Sequence, residues 1–159
     1  MKLKMKHKTL RLAALGAAIL MISTLAAAQK RCTEDGSIRR VTKATSGNYE
    51  TVTFEFVGSS LPSTIEVTNE KPPITNYGGD NLHMKGRAFK GVHMSIVPWT
   101  CKIAENFKAS SKTIKDIRNS EQFEGYVTYV IGYTARSKYV GKTEITGPKS
   151  SKIVIKFKR

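Results

Sequence analysis

The 159 residues hold 27 Lys and Arg against 12 Asp and Glu, a formal charge of +15, with two cysteines and one tryptophan. That length points to a single domain and is enough to bury a core without a metal or a set of disulfides to hold it. The positive balance either serves solubility alone or meets an anionic partner.

The first 28 residues read as a segment apart. "MKLKMKHKTLR" carries five basic residues and no acid, and "LAALGAAILMISTLAAA" follows it uncharged. Ala26, Ala27 and Ala28 are the small residues that a signal peptidase needs, so the layout predicts a secretory signal cut between Ala28 and Gln29. The competing reading is an uncleaved anchor, for which Leu12 to Ala28, 17 residues, is near the short limit of a bilayer span. Cys32 follows "QKR" rather than small apolar residues, which argues against lipid attachment there. Removal of the signal leaves 22 basic residues against 12 acids, a balance of +10. A periplasmic, envelope-associated or secreted protein of that charge meets anionic wall polymers, lipids and glycans first. No nucleic-acid partner is expected, and a membrane only if the signal is retained. Cys32 and Cys101 predict one disulfide in such a compartment, closing a loop of about 70 residues and pinning the N-terminal arm to the body. The alternative is two free thiols in a reducing setting.

Residues 29–48 read as an irregular arm, polar and broken by turn signals at "DG" and "SGN". From Tyr49 the pattern turns to period two: in "YETVTFEFV", Val52, Phe54 and Phe56 share one face, with Thr51, Thr53 and Glu55 on the other. "TIEVT" continues it with Ile65 and Val67 inward. "NEKPPITNYGGDN" is a long loop, since Pro72-Pro73 and Gly78-Gly79 exclude regular structure. "AFKGVHMSIVPW" alternates again, Val92, Met94 and Ile96 against His93 and Ser95, and Pro98 ends it. "IAENFKAS" suits one helical turn. "KTIKDIRNS" is a weak strand, because Ile114 and Ile117 fall out of step. "GYVTYVIGY" is apolar on both sides, Val127, Tyr129, Ile131 and Tyr133 on one and Tyr126, Thr128 and Val130 on the other, as a central strand is. "KYVGKTEI" and "KIVIKFKR" complete the series, the last with Ile153, Ile155 and Phe157 inward and Lys152, Lys156 and Lys158 outward with Val154. The expected fold is all-β, an antiparallel sandwich or partly open barrel of about six or seven strands over residues 49–159, without repeats.

Motifs for chemistry are scarce. "VGKTE" at 140–144 imitates a phosphate-binding loop, but Arg136 stands where a glycine is needed and no helix follows. Asp80 and His83 share a loop without a third ligand, so no metal or other cofactor is expected. Cys101 with His93 as nucleophile and base competes with the disulfide. There is no serine elbow, and the few acids give no obvious glycosidase pair. The residues therefore point away from an enzyme. Two surface features remain. Tyr77 and Trp99, in loops, form a candidate aromatic platform, against the plainer reading that Trp99 packs in the core. Lys152, Lys156 and Lys158, with Lys138 and Lys142 from the preceding strand, form a candidate basic face. The rival account of those lysines is that they guard an edge strand against sheet-to-sheet addition.

The order "YETVTFEFVG", "STIEV", "KPP", "MKGRAFKGVHMSIVPW", "EQFEGYVTYVIGY" and "KIVIKFK" resembles the AMIN-like domain, a family of exported bacterial proteins named for its likeness to a module that precedes some cell-wall amidases. Phe123, Glu124, Gly125, Val130, Ile131 and Gly132 carry the most specific part. The resemblance covers Tyr49 to Arg159 and implies a β-sandwich-like envelope domain without enzymatic activity. The chain departs from the pattern where an Arg commonly precedes the first strand and where the last strand usually ends in an acid, so no binding residue is carried over. The resulting expectation is an exported, non-catalytic envelope domain whose partner is an anionic wall or surface polymer or peptidoglycan. The alternatives are a structural or protein-interaction domain without a polymer ligand, and a hydrolase with an unrecognised site.

Overall fold

The computed structural model describes residues 32–95, 97–101, 103 and 111–159. Eight strands run in chain order: β1 (Ile38–Ser46), β2 (Tyr49–Val57), β3 (Thr64–Glu70), β4 (Ala88–Ser95), β5 (Ile114–Phe123), β6 (Tyr126–Tyr133), β7 (Lys138–Ile145) and β8 (Ser150–Lys158). They form two four-stranded antiparallel sheets, ordered β1-β2-β8-β7 and β3-β4-β6-β5. Neither closes into a barrel, and among the described residues there is no helix. The predicted signal, its cut at Ala28–Gln29, the inward Ile96 and most of the expected helical turn lie outside the described residues; of that turn only Ile103 is described, and it is buried.

Alternation builds the core. Val52, Phe54 and Phe56 of β2 and Ile153, Ile155 and Phe157 of β8 are fully buried from one sheet, and Val92, Val127, Tyr129 and Ile131 from the other. Rings interlock across the gap: Phe54 meets Tyr129 at 5.1 Å between centroids and Tyr133 meets Phe157 at 4.9 Å. Aligned sheets joined by such inward faces make a sandwich.

Two differences from the sequence reading have one cause. The stretch expected as an irregular arm contains β1, which raises the strand count to eight. Its buried residues, Ile38 and Val41, are three apart, and a bulge between Ile38 and Arg40 brings both to the inner face. In β5, a bulge between Ile114 and Asp116 likewise lets Ile114 and Ile117 both be buried.

The β5–β6 hairpin turns at Glu124 (φ 46°) and Gly125 (φ 83°). Positive φ at both central residues is the type I′ geometry, which matches the twist of the flanking strands and favours Gly at the second place. At the far end of β6, Gly132 lies under the loop between β3 and β4. A Cβ there would sit 2.1 Å from the Lys85 carbonyl oxygen. A strand Gly→Ala change ordinarily gains stability; Gly132→Ala is expected instead to cost about 2 kcal/mol, because backbone must move. Urea unfolding measures it, and an unchanged midpoint would show that the loop docks with slack.

Candidate functional site

Directly opposed residues of an antiparallel pair project to the same side. The outer face of β1-β2-β8-β7 therefore carries Lys138 and Lys158 opposite one another, Lys158 opposite Tyr49, Lys156 opposite Thr51, and Lys152 opposite Glu55, which in turn opposes Arg40. Lys156 Nζ stands 3.9 Å over the Tyr49 ring. Glu55 is the carboxylate of this group, and Arg40 Nη2 holds it at 2.6 Å. That hydrogen bond, opposed by burial and helped by the charges of Arg40, Lys152 and Arg39, lowers the Glu55 pKa. The face is thus basic with its acid already paired. Three of its threonines, Thr42, Thr53 and Thr143, stand in one row with Val154 across all four strands.

Lys142 does not belong to this face. A bulge between Tyr139 and Gly141 reverses the alternation of β7, so Lys142 opposes the core residue Ile155. Its Nζ donates to the Ile65 carbonyl of β3 and to Glu144 Oε1, both at 2.7 Å, and ties the edges of the two sheets together. The edge-guard account of Lys152, Lys156 and Lys158 also fails. β8 lies between β2 and β7, and its backbone is paired on both sides. Within "VGKTE", too, the chain is strand rather than a phosphate loop.

The structure brings Tyr77 and Trp99 together through a residue the sequence did not offer as a ligand contact. Phe123 stacks on Tyr77 at 4.8 Å and tilts against Trp99 at 5.5 Å. Trp99 also packs partly against the core. The Gln122 side-chain amide donates to the Trp99 and Cys101 carbonyls at 2.6 and 2.7 Å, which fixes this segment. Cys101 is joined to Cys32, with 5.1 Å between their Cα atoms, so no thiol stands there for His93 to activate.

His93 lies instead on the outer face of β4, its Nε2 3.1 Å from Glu70 Oε1 and its Nδ1 3.3 Å from Thr128 Oγ1. Thr68 donates to the same Glu70 oxygen at 2.5 Å. That bond and His93 outweigh burial and lower the Glu70 pKa. Gly91 makes room for the cluster, since a Cβ there would meet Glu70 Oε1 at 2.3 Å and His93 Nε2 at 2.6 Å. Asp80 is engaged with Asn76 and the His83 amide with Asn81. Among the described residues no group of three His, Cys, Asp or Glu gathers to hold a metal.

The family model described as AMIN-like domain matches residues 36–159. No curated protein and no solved structure matches the chain.

Proposed function

Because the chain belongs to the AMIN-like family, we propose that it is an exported, non-catalytic envelope domain whose basic outer face binds an anionic wall or surface polymer. The family supports the coarse part, association with the cell envelope or peptidoglycan. The observation that carries the finer part is the grouping of Arg40, Lys138, Lys152, Lys156 and Lys158 on one open face, with Glu55 already paired to Arg40. Such a face attracts polyanions through screened charge, over about 8–10 Å at physiological ionic strength. The threonine row beside it offers hydroxyls to the same polymer.

The test is cosedimentation with sacculi bearing teichoic acid, or with lipopolysaccharide, across a salt series. Each exposed charge pair contributes about 0.2–1 kcal/mol. Changing Lys152, Lys156 and Lys158 together to Gln is therefore expected to weaken binding about tenfold and to flatten its salt dependence. Binding equal to the unchanged protein would overturn the reading.

A further inference from the structure

We propose a second, separate site: the groove beside Trp99 and Tyr126, extended by Phe123 and Tyr77, takes a neutral oligosaccharide. The groove, about 760 Å³, lies where the β5–β6 turn meets Asp35–Gly36, Ser60–Ser63 and Val97–Trp99. One exposed ring, Tyr126, lines it, and the two that extend it beyond Trp99, Phe123 and Tyr77, are exposed as well. Tyr77 is 65% exposed, Tyr126 59% and Phe123 36%. Large exposed rings gathered at one place mark a surface that a ligand covers.

The rings are preorganised. Phe123 is held between Tyr77 and Trp99, Gln122 anchors the Trp99 backbone, and the turn that presents Tyr126 is fixed by Gly125. A site already set in its bound geometry loses little entropy on binding.

The polar lining chooses the occupant. Ser63 and Ser95 face one another at 3.1 Å between hydroxyl oxygens, and Ser60 donates to Asp35. Asp35 and Glu124 bring carboxylates, and no Lys or Arg is among the described residues that line the groove proper; Lys71 and Arg118 share hollows with Tyr77 alone of these rings. This set repels the polyanions that suit the basic face. It accepts hydrogen bonds from sugar hydroxyls, while the rings cover the C–H face of a pyranose. A pyranose with equatorial substituents presents that flat face best, so the occupant is a β-linked, gluco-configured oligosaccharide. Nothing in this site depends on the basic face, and either can fail alone.

Trp99 is the only tryptophan, so its emission reports the groove directly. Cellohexaose and the N-acetylglucosamine hexamer are titrated into the full chain at low and high salt. The expected result is a saturable change in emission with at least one of them, equal at both salts. Tyr126→Ala and Tyr77→Ala should each raise the half-saturating concentration about tenfold. Tyr126→Phe, which keeps the ring, should bind as the unchanged protein does, as should the variant with Lys152, Lys156 and Lys158 changed to Gln. No emission change with either sugar overturns the proposal. So does a change that survives both alanine substitutions, or one that high salt abolishes.

Discussion

Replacing Cys32 and Cys101 together by alanine is expected to lower the free energy of unfolding by about 4 kcal/mol. The bond spans a sequence separation of 69 and so closes a long loop in the unfolded chain. Restricting that loop removes disordered conformations and favours the folded state by default. The 5.1 Å between the Cα atoms is within the ordinary range. Small domains are stable by only about 5–15 kcal/mol in total, so the loss corresponds to about 15 °C in Tm. Urea and thermal unfolding of the double variant test this, and reductant added to the unchanged protein should reproduce it. A loss under about 1 kcal/mol would mean that the arm is held by its own contacts, of which the buried Cys32 position is one.

Glu50 is the second position with a large expected effect. It is a carboxylate with a fully buried side chain. Thr113 N and Ile114 N donate to it at 3.2 and 3.0 Å, Ser111 Oγ donates as well, and Arg159 Nε lies at 3.4 Å. Burial alone would raise its pKa, but the Ser111 hydroxyl, the two amides and Arg159 together outweigh burial and lower it from 4.5. Glu50→Ala strands these donors and is expected to cost about 3 kcal/mol near neutral pH. The sign of the pH dependence follows from the lowered value. Stability from Glu50 is fully present above its unfolded pKa and is lost as pH falls through the lower folded one. Glu50→Gln should therefore flatten the stability profile below about pH 4.5, relative to the unchanged protein. Glu55 and Glu70 are lowered too, so part of the acid loss remains. Urea midpoints between about pH 7 and pH 3 provide the comparison, and parallel profiles would remove Glu50 from the account.

Where the chain keeps strict period two, as in β2, β6 and β8, the strands and their inward residues were readable from residue order. The inward and outward sides were misread where one extra residue enters a strand. Ile38 and Val41 look unrelated until the β1 bulge is known, and Ile114 and Ile117 look out of step for the same reason. The bulge beside Gly141 turned Lys142 from an outward lysine into an inward tie. No local signal separates it from Lys138, because the choice depends on pairing with β8. Strand order was equally hidden, and it is what removed the edge-guard account of the β8 lysines. Glu50 was readable in part, since alternation from Val52 puts it on the inner side, but its partners come from residues more than sixty positions away. Tyr77 and Trp99 could be named as loop aromatics, although Trp99 is half-buried. Phe123, which joins them, was visible only as part of a family pattern, because its neighbours meet it through two loops distant in sequence.

The position of β8 sets the order in which the domain can assemble. It is last in the chain yet lies inside its sheet, between β2 and β7. β3, β4, β5 and β6 are consecutive in the chain and close a sheet among themselves, β4 pairing directly with β6 and β5 taking the outer edge. The other sheet brings Tyr49 against Lys158, a pairing of high contact order and slow closure. Until β8 is in place, Val52, Phe54 and Phe56 therefore lack Ile153, Ile155 and Phe157 as neighbours on the inner face. The pairing of β8 with β2 supplies both those neighbours and Arg159 for Glu50. Until then β2 is an open edge, and its sheet cannot close.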